Sequence, residues 1–366
     1  MKINSIYILS VFFFISITLS GQNNRPQEPN IPYNYTSEDI TFENPKANDI
    51  KLAGTLTLPK NVKQPAVAIL ISGSGPQNRN EEVFEHKPFL VLADYLTNNG
   101  IAVLRYDDRG IASSEGDFKT ATSFDFATDV EAAINYLKSR SDIDPNKIGL
   151  IGHSEGGLIA PIVVSKNNDV AFIVLLAGSG VDGQEVLQSQ SRKITKMMGA
   201  TEETLDFNHT ITSKAYEVIK KEKDVEKIKK GIETSLSTYK ENLGDSPYAA
   251  YINDAVINQL SGMASNVWLT TFIRTSPEPY LSKTTCPVLA INGSKDVQVL
   301  AKLNLVGIES ALKQANNKDV TIKELEGLNH LFQTAETGSA QEYAKIEETF
   351  SPTALVLIKD WILERF

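Results

Sequence analysis

Hydrophobic residues are concentrated in short, uninterrupted runs along this chain, and polar or helix-like stretches separate them. Five such runs stand at Ala66–Ile71, Ile101–Leu104, Ile148–Ile151, Ala171–Ala177 and Pro287–Ile291, and we predict a sixth strand of the same kind at Val320–Leu325. A parallel strand covered by helices on both faces has no solvent side, so its sequence reads as one apolar run. The runs therefore predict the strands of a parallel sheet.

Other segments show the periodicities that flank such a sheet. Asp39–Phe42 and Ile50–Leu58 alternate partly, which is typical of an antiparallel pair with one solvated face. Apolar residues recur at helical spacing in Pro88–Leu96, Phe126–Leu137 and Ala354–Ile362. Alternation of strands and helices predicts an α/β fold with right-handed crossovers.

Residues 182–282 do not continue this alternation of strands and helices, because they contain no convincing buried strand. They hold helical stretches such as Ser213–Lys230 and Asp254–Ser261, and a structureless loop of this length is implausible in a compact domain. We predict a helical cap here, inserted between two core segments, 37–181 and 283–366. Its lysine- and glutamate-rich stretch is typical of a solvated helix face.

Residues 1–21 have the layout of a secretory signal peptide, with Lys2, an apolar stretch from Ile6 to Ile17, and small residues after it. A membrane anchor is the alternative, but the stretch is short for a span of ~20 residues and no basic flank follows it. We expect export to the periplasm or medium with no stable membrane insertion. Residues 22–36, rich in Asn, Pro and Gln, are interpreted as a linker.

Composition and charge narrow the class of protein. The 366 residues include 36 Lys and Arg against 45 Asp and Glu, a net charge of −9, which suits neither nucleic acid nor an anionic membrane. The single cysteine, Cys286, excludes an intrachain disulfide framework and a cysteine-rich zinc site. Four histidines leave little material for a metal cluster. No motif requires a metal or organic cofactor. The classes of protein that remain are an enzyme, a binding protein and a scaffold.

The candidate nucleophile is Ser154. Residues 152–156 read GHSEG, a G-x-S-x-G motif between the strand at Ile148–Ile151 and a predicted helix over Leu158–Ser165. This is the strand–turn–helix setting of a nucleophile elbow, in which the N–H of the next residue, Glu155, points toward a developing oxyanion. A glycine-rich loop with a structural serine is the alternative.

A serine hydroxyl needs a base, and in this arrangement the chain order is Ser, then Asp or Glu, then His. Only His209 and His330 follow Ser154. His209 lies in the predicted cap, whereas His330 follows the strand Val320–Leu325, so His330 is the predicted base.

The orienting acid is predicted in the loop after the preceding strand, Pro287–Ile291, where Asp296 stands. Its carboxylate would accept the second ring N–H of His330 and stabilise the imidazolium. Asp319 and Glu326 are weaker candidates, because neither lies in a loop that follows an earlier strand.

A second oxyanion donor is expected after the third strand, in the loop Ser72–Gln77 with the sequence SGSGPQ. Pro76 has no N–H, so we predict the Gln77 amide as this donor. The loop lacks the spacing of a phosphate-binding P-loop.

These motifs together resemble a known family. The segments that carry the resemblance are LISGSGPQNRNE at 70–81, HKPFLVLADYL at 86–96, AVLRYDDRGIASSEG at 102–116, GHSEGG at 152–157, GSKD at 293–296 and NH at 329–330. They resemble bacterial α/β-hydrolase-fold serine carboxylesterases with a G-S-G-P-Q oxyanion loop, a group allied to serine-aminopeptidase-like hydrolases. The resemblance runs from about Asp39 to Phe366 and weakens in residues 182–282.

The resemblance implies a doubly covered, eight-stranded, mostly parallel sheet with an antiparallel second strand and a helical cap over the active site. It also implies the triad Ser154, Asp296 and His330, with the Gln77 and Glu155 amides as oxyanion donors. Asn78 departs from the family, where an aspartate is common, and we expect tuning from this change. The family motif at residues 107–109 (DDR) is interpreted as structural bracing.

The predicted function is hydrolysis of small carboxylic esters, with short acyl chains, through an acyl-enzyme. An exported aminopeptidase, a dipeptidase, or another amide or thioester hydrolase with the same triad is the first alternative. In that case Glu155 and Asp108 are candidates for a pocket that takes the peptide amine. A non-catalytic ligand-binding relative is the second alternative.

Overall fold

The structure is a computed structural model that describes residues 24–366. The predicted signal peptide, residues 1–21, lies outside the described residues. Within residues 24–366 no helix is both long enough and apolar enough to cross a membrane.

Within the described part of the chain, eight strands form one sheet. They are β1 (Thr36–Asn44), β2 (Ile50–Leu58), β3 (Val67–Ile71), β4 (Ala102–Tyr106), β5 (Ile148–His153), β6 (Ile173–Leu176), β7 (Val288–Gly293) and β8 (Val320–Leu325). Their spatial order is β1-β2-β4-β3-β5-β6-β7-β8, and β2 runs antiparallel to both of its neighbours while the other pairs are parallel. The predicted α/β-hydrolase sheet is confirmed.

Twelve helices connect or flank these strands in the same range of residues. They are α1 (Pro88–Asn98), α2 (Ser123–Lys138), α3 (Gly156–Val164), α4 (Gly183–Met197), α5 (Glu202–Lys221), α6 (Val225–Leu243), α7 (Asp254–Gly262), α8 (Val267–Arg274), α9 (Glu278–Leu281), α10 (Ala301–Gln314), α11 (Ala340–Tyr343) and α12 (Pro352–Leu363). Helix α1 begins at a proline, whose missing N–H costs nothing in the first turn. Helix α2 begins with a capping box between Thr122 and Asp125.

The core is built on the central strands, which are buried along their whole length from β3 to β7. Helices α1 and α12 contribute Leu92, Leu96, Ile358 and Trp361 to the hydrophobic cluster on one face. Strand β8 differs from the buried strand that the sequence predicts: five of its positions are only partly shielded or exposed before the buried Leu325. It lies at the edge of the sheet, where it has a single neighbouring strand.

The described residues separate into two compact units, and the first is the helical segment 182–276. It contains α4 to α8 and buries its own apolar residues, among them Leu205, Ile211 and Ile232. The predicted stretch Ser213–Lys230 is two helices, because α5 ends at Lys221 and α6 begins at Val225. The Asp224 side chain caps α6 by accepting the Lys227 N–H.

The second unit contains the sheet, with residues 24–181 and 277–366. Helix α9 (Glu278–Leu281) belongs to this unit, although the sequence placed it within the predicted cap. Residues 24–35 also belong to it, and they are held by the core rather than forming a free linker. The Arg25 guanidinium donates to the carbonyls of Phe84 (2.9 Å) and Ile346 (3.0 Å), and the Gln27 amide donates to the Phe350 carbonyl (2.7 Å).

Candidate active site

Ser154 lies at a sharp turn between β5 (Ile148–His153) and α3 (Gly156–Val164). Its φ of 52° is in the left-handed region, which a serine rarely occupies. The Ser154 N–H donates to the Leu176 carbonyl at 2.8 Å, at the end of the neighbouring strand β6. The turn is thus held in the strained conformation that defines a nucleophile elbow.

Two glycines make this turn possible. A Cβ atom on Gly152 would lie 2.1 Å from the Gly156 carbonyl oxygen. A Cβ atom on Gly156 would lie 2.2 Å from the carbonyl oxygen of Ile71, in β3. Backbone packing this close leaves no room for any side chain, and it fixes the start of α3 against the sheet.

The structure brings Asp296 and His330 together. The His330 Nδ1–H donates to Asp296 Oδ2 at 2.8 Å, and the two side chains are 5% and 0% exposed. The other carboxylate oxygen, Oδ1, accepts the backbone N–H groups of Gln298 (2.7 Å) and Val299 (2.9 Å). With Nδ1 protonated in this bond, the neutral imidazole carries its lone pair on Nε2, the form that a general base needs.

The other candidates for base and acid have different surroundings. Asp319 accepts two hydrogen bonds from the Arg365 guanidinium, at 3.0 and 2.8 Å. Glu326 is exposed, and so is His209 in α5.

The loop Ser72–Gln77 reaches the elbow, since a Cβ atom on Gly73 would lie 3.3 Å from Ser154 Cβ. The Gln77 N–H, however, donates to Asp108 Oδ2 at 3.0 Å. Gln77 stays the predicted oxyanion donor, and its amide would have to exchange the Asp108 carboxyl for the oxyanion. Elimination along the loop could not detect this, since Asp108 arrives from a different strand.

Glu155 has a different environment for its backbone and its side chain. Its carboxylate accepts the Ser123 hydroxyl at 2.6 Å and is buried. Its backbone caps α3 (Gly156–Val164), where the first N–H groups of a helix lack intrahelical partners and the helix dipole favours negative charge. The start of α3 is therefore a suitable place for the predicted oxyanion donor, the Glu155 N–H.

The motif at residues 107–109 braces the loops around the elbow. Asp107 pairs with Arg79, with a shortest distance of 2.7 Å. Arg109 makes two bonds of 2.8 Å to Asp129. Asp108 Oδ1 accepts the Ser72 hydroxyl at 2.7 Å, and burial raises the pKa of the Asp108 carboxyl well above its usual range.

Sequence reasoning missed two buried residues beside the site, Glu81 and His153. His153 is the variable residue before the nucleophile, and Glu81 lies a few residues beyond the oxyanion loop. Both lie within segments that carry the family resemblance, 70–81 and 152–157, but no spacing rule indicates a contact between them. Within residues 24–366, no group of three or more His, Cys, Asp or Glu side chains is arranged to hold a metal ion.

Comparison with known proteins places this geometry in context. The sequence profile of the family described as serine aminopeptidase, S33, matches residues 86–336, more than half of the chain. The esterase EstD of Thermotoga maritima is 26% identical over 178 residues, which cover 48% of this chain and 41% of EstD. An acyl transferase of Shewanella hanedai is 31% identical over 165 residues, 44% of this chain and 50% of the relative. The chain thus matches half or less of the length of these relatives.

Solved structures share the fold. An esterase of Pyrococcus furiosus superposes with a TM-score of 0.53 at 13% identity, covering 90% of this chain and 91% of that one. A hypothetical protein of Pseudomonas aeruginosa gives a TM-score of 0.52 at 16% identity, covering 93% and 96%. Identities this low bear on the fold alone.

Proposed function

The chain belongs to the serine aminopeptidase, S33, family of α/β-hydrolases, and on that premise we propose that it hydrolyses small carboxylic esters through an acyl-enzyme on Ser154. The observation that carries the proposal is the 2.8 Å bond between His330 Nδ1 and Asp296 Oδ2. It joins loops that follow β8 and β7, and Ser154 stands at the strained turn after β5. A hydrolase that works through Ser, His and Asp needs these three groups in these roles.

In the proposed reaction, His330 Nε2 removes the Ser154 hydroxyl proton as Ser154 Oγ attacks the ester carbonyl carbon. Asp296 stabilises the imidazolium that forms. The Glu155 N–H, together with an amide of the loop Ser72–Gln77, donates to the tetrahedral oxyanion. Removal of one such donor typically lowers turnover by about 100- to 1000-fold.

The tetrahedral intermediate then collapses as His330 returns the proton to the leaving alkoxide, which departs as an alcohol. A water molecule, deprotonated by His330, attacks the acyl carbonyl. The second intermediate releases the carboxylic acid and restores the Ser154 hydroxyl. The sum of these steps is an ester plus water giving an acid plus an alcohol.

The environment of the acidic residues favours ester over amide substrates. An aminopeptidase needs an ionised carboxylate that can pair with the substrate's ammonium group. Asp108 is held by the Ser72 hydroxyl and the Gln77 N–H, and burial raises the pKa of its carboxyl. Glu155 is buried and accepts the Ser123 hydroxyl. Both carboxyls are thus already engaged within the protein.

A substrate panel tests the proposal. Purified protein is assayed with p-nitrophenyl esters of increasing acyl length and, in parallel, with amino-acid p-nitroanilides. We expect turnover of the short esters, loss of that turnover in Ser154→Ala, and unchanged turnover in Ser141→Ala, which alters an exposed serine. Faster cleavage of the anilides would establish the aminopeptidase alternative, and substantial ester hydrolysis by Ser154→Ala would refute the assignment.

We also propose that the protein acts after export, in the periplasm or medium. The layout of residues 1–21 supports this, as does a fold whose lone thiol, Cys286, is shielded enough that burial raises its pKa to about 12. N-terminal sequencing of protein recovered outside the cytoplasm tests the proposal. Recovery of the intact N-terminus from the cytoplasm would contradict it.

A further inference from the structure

The imidazole of His153, the residue before the candidate nucleophile, is buried and joins two loops. Its Nδ1 lies 2.9 Å from Glu81 Oε1, and its Nε2 lies 2.9 Å from the carbonyl oxygen of His330. The His153 and Glu81 side chains are 8% and 5% exposed. Both ring nitrogens are therefore engaged by protein groups.

The partners of His153 determine its protonation state. A backbone carbonyl only accepts hydrogen bonds, so Nε2 must carry a proton. Glu81 Oε1 already accepts the Gly73 N–H at 2.6 Å. An ionised carboxylate can only accept, so with Glu81 as a carboxylate Nδ1 carries a proton as well. Two such acceptors facing one imidazole favour the imidazolium form.

His86 provides a contrast within the same protein. Its Nε2 lies 2.9 Å from the Tyr343 carbonyl and 3.0 Å from the Gln333 amide nitrogen, and its Nδ1 lies 2.8 Å from the Thr349 hydroxyl. A hydroxyl can donate as well as accept, so one ring proton satisfies His86. Burial lowers the pKa of His86 to about 4, in agreement with a neutral ring.

We propose that His153 is a permanent imidazolium, paired with Glu81, that positions His330 and the oxyanion loop around Ser154. This inference rests on the proposed function, in which His330 is the base. The pair ties together the Gly73 amide, the residue before the nucleophile and the backbone of His330. The rings of His153 and His330 are close, with centroids 4.8 Å apart.

The charges around His153 support this state. Burial by itself lowers the pKa of His153, but the Glu81 carboxylate and the His330 carbonyl outweigh it and raise the pKa above the ordinary value. Asp296 faces the same ring from the loop after β7 and adds to the rise. The titratable groups around the ring are thus Glu81, Asp296 and His330, with Asp108 acting on the same cluster of acids.

A positively charged ring beside His330 has a further consequence. The Glu81 carboxylate pairs with this ring at 2.9 Å, and the same ring bonds to the His330 carbonyl. Replacement of Glu81 by Gln removes the anion, so His153 loses a proton and can no longer donate to both of its acceptors.

Nuclear magnetic resonance of ¹⁵N-histidine-labelled full-length protein tests the protonation state directly. The chain has only four histidines, and the His153→Gln and His86→Gln spectra assign the two buried rings. At pH 7.5, where an ordinary imidazole is neutral, we expect both His153 ring nitrogens to be protonated and His86 to carry one ring proton. A single-tautomer neutral His153 at that pH would overturn the proposal.

Kinetics test the positioning role. A displacement of about 1 Å can cost on the order of 100-fold in rate, so we expect Glu81→Gln and His153→Gln to lower kcat about 10- to 100-fold with KM changed less than about twofold. Labelling of Ser154 by a fluorophosphonate should slow by a similar factor. The matched control is His209→Gln, which alters an exposed histidine and should leave kcat unchanged.

The outcomes separate this inference from the proposed function. If the unaltered protein hydrolyses esters and both variants retain its kcat while folded by circular dichroism, the positioning role is wrong and the esterase assignment stands. If the unaltered protein hydrolyses no ester, the proposed function fails, while the resonance measurement still decides whether His153 is an imidazolium.

Discussion

Replacement of Asp296 by Asn tests the roles of the acid and the base together. In the structure, one Asp296 oxygen accepts the His330 Nδ1–H and the other accepts two backbone N–H groups, from Gln298 and Val299. An asparagine has one oxygen and one NH₂ group. Since the two backbone amides can only donate, they select the orientation that keeps the oxygen toward them.

That orientation turns the asparagine NH₂ toward His330. Nδ1 must then accept, so the ring proton moves to Nε2 and the lone pair that should remove the Ser154 proton is lost. The wrong tautomer of a triad histidine lowers kcat by about 10⁴-fold, which corresponds to about 5 kcal/mol of transition-state stabilisation. The shape and burial of the site change little, so the fold should persist.

The assay is kcat and KM for a short p-nitrophenyl ester, with the melting temperature measured alongside. We expect kcat of Asp296→Asn to fall by about 10⁴-fold with little change in KM. Glu326→Gln removes an exposed acid of the neighbouring segment and should retain full activity. Retention of more than about a tenth of the activity in folded Asp296→Asn, where the tautomer argument requires about 10⁴-fold loss, would refute the assignment of Asp296.

Three further substitutions follow from the hydrogen bonds of the described residues. Arg109→Met leaves Asp129, 1% exposed, without its bidentate partner and should cost about 3–5 kcal/mol in urea unfolding followed by tryptophan fluorescence; a loss below about 1 kcal/mol would contradict a buried pair. Asp108→Leu leaves two part-buried donors, the Ser72 hydroxyl and the Gln77 N–H, without their acceptor, at up to about 1–3 kcal/mol each, so it should lower ester turnover more than Asp108→Asn, and equal turnover would contradict bracing. Asn208→Leu removes an amide whose two polar atoms are buried without a partner in the described structure, so the urea midpoint should rise, and a fall would reveal an unrecognised partner.

Much of the sheet could be predicted because a strand that is buried on both faces has a continuous apolar sequence. The run at Ala66–Ile71 corresponds to β3, and the run at Ile148–Ile151 to β5, each within two residues. The strand predicted at Val320–Leu325 has the right bounds, but its sequence VTIKEL contains polar residues that an edge strand exposes. Edge position depends on the order of strands, which local periodicity does not encode.

Contacts made by side chains across long stretches of sequence could not be predicted. The segment 22–36 has the composition of a linker, yet Arg25 binds carbonyl groups more than 300 positions away. The sequence predicts the Gln77 amide from its own loop alone, whereas the acceptor that engages it, Asp108, follows β4. The Glu81–His153 pair is of the same kind, since each residue alone is unremarkable in sequence.

The elbow and the acid–base pair could be predicted from the sequence because their chemistry fixes both residue type and chain order. Ser154 had to follow a strand and precede a helix, and the base had to come after the acid. Each of these conditions refers to neighbouring elements whose periodicity is strong. The structure accordingly brings Asp296 and His330 to 2.8 Å, while the competing acids Asp319 and Glu326 have different surroundings.

Covalent labelling tests the central claim most directly. The full-length protein is treated with a fluorophosphonate, digested, and mapped by mass spectrometry, with Ser154→Ala in parallel. The proposed mechanism predicts one adduct per chain, on Ser154, that is absent from Ser154→Ala and forms far more slowly in Asp296→Asn. An adduct on another residue, or no adduct on a folded protein, would contradict the account.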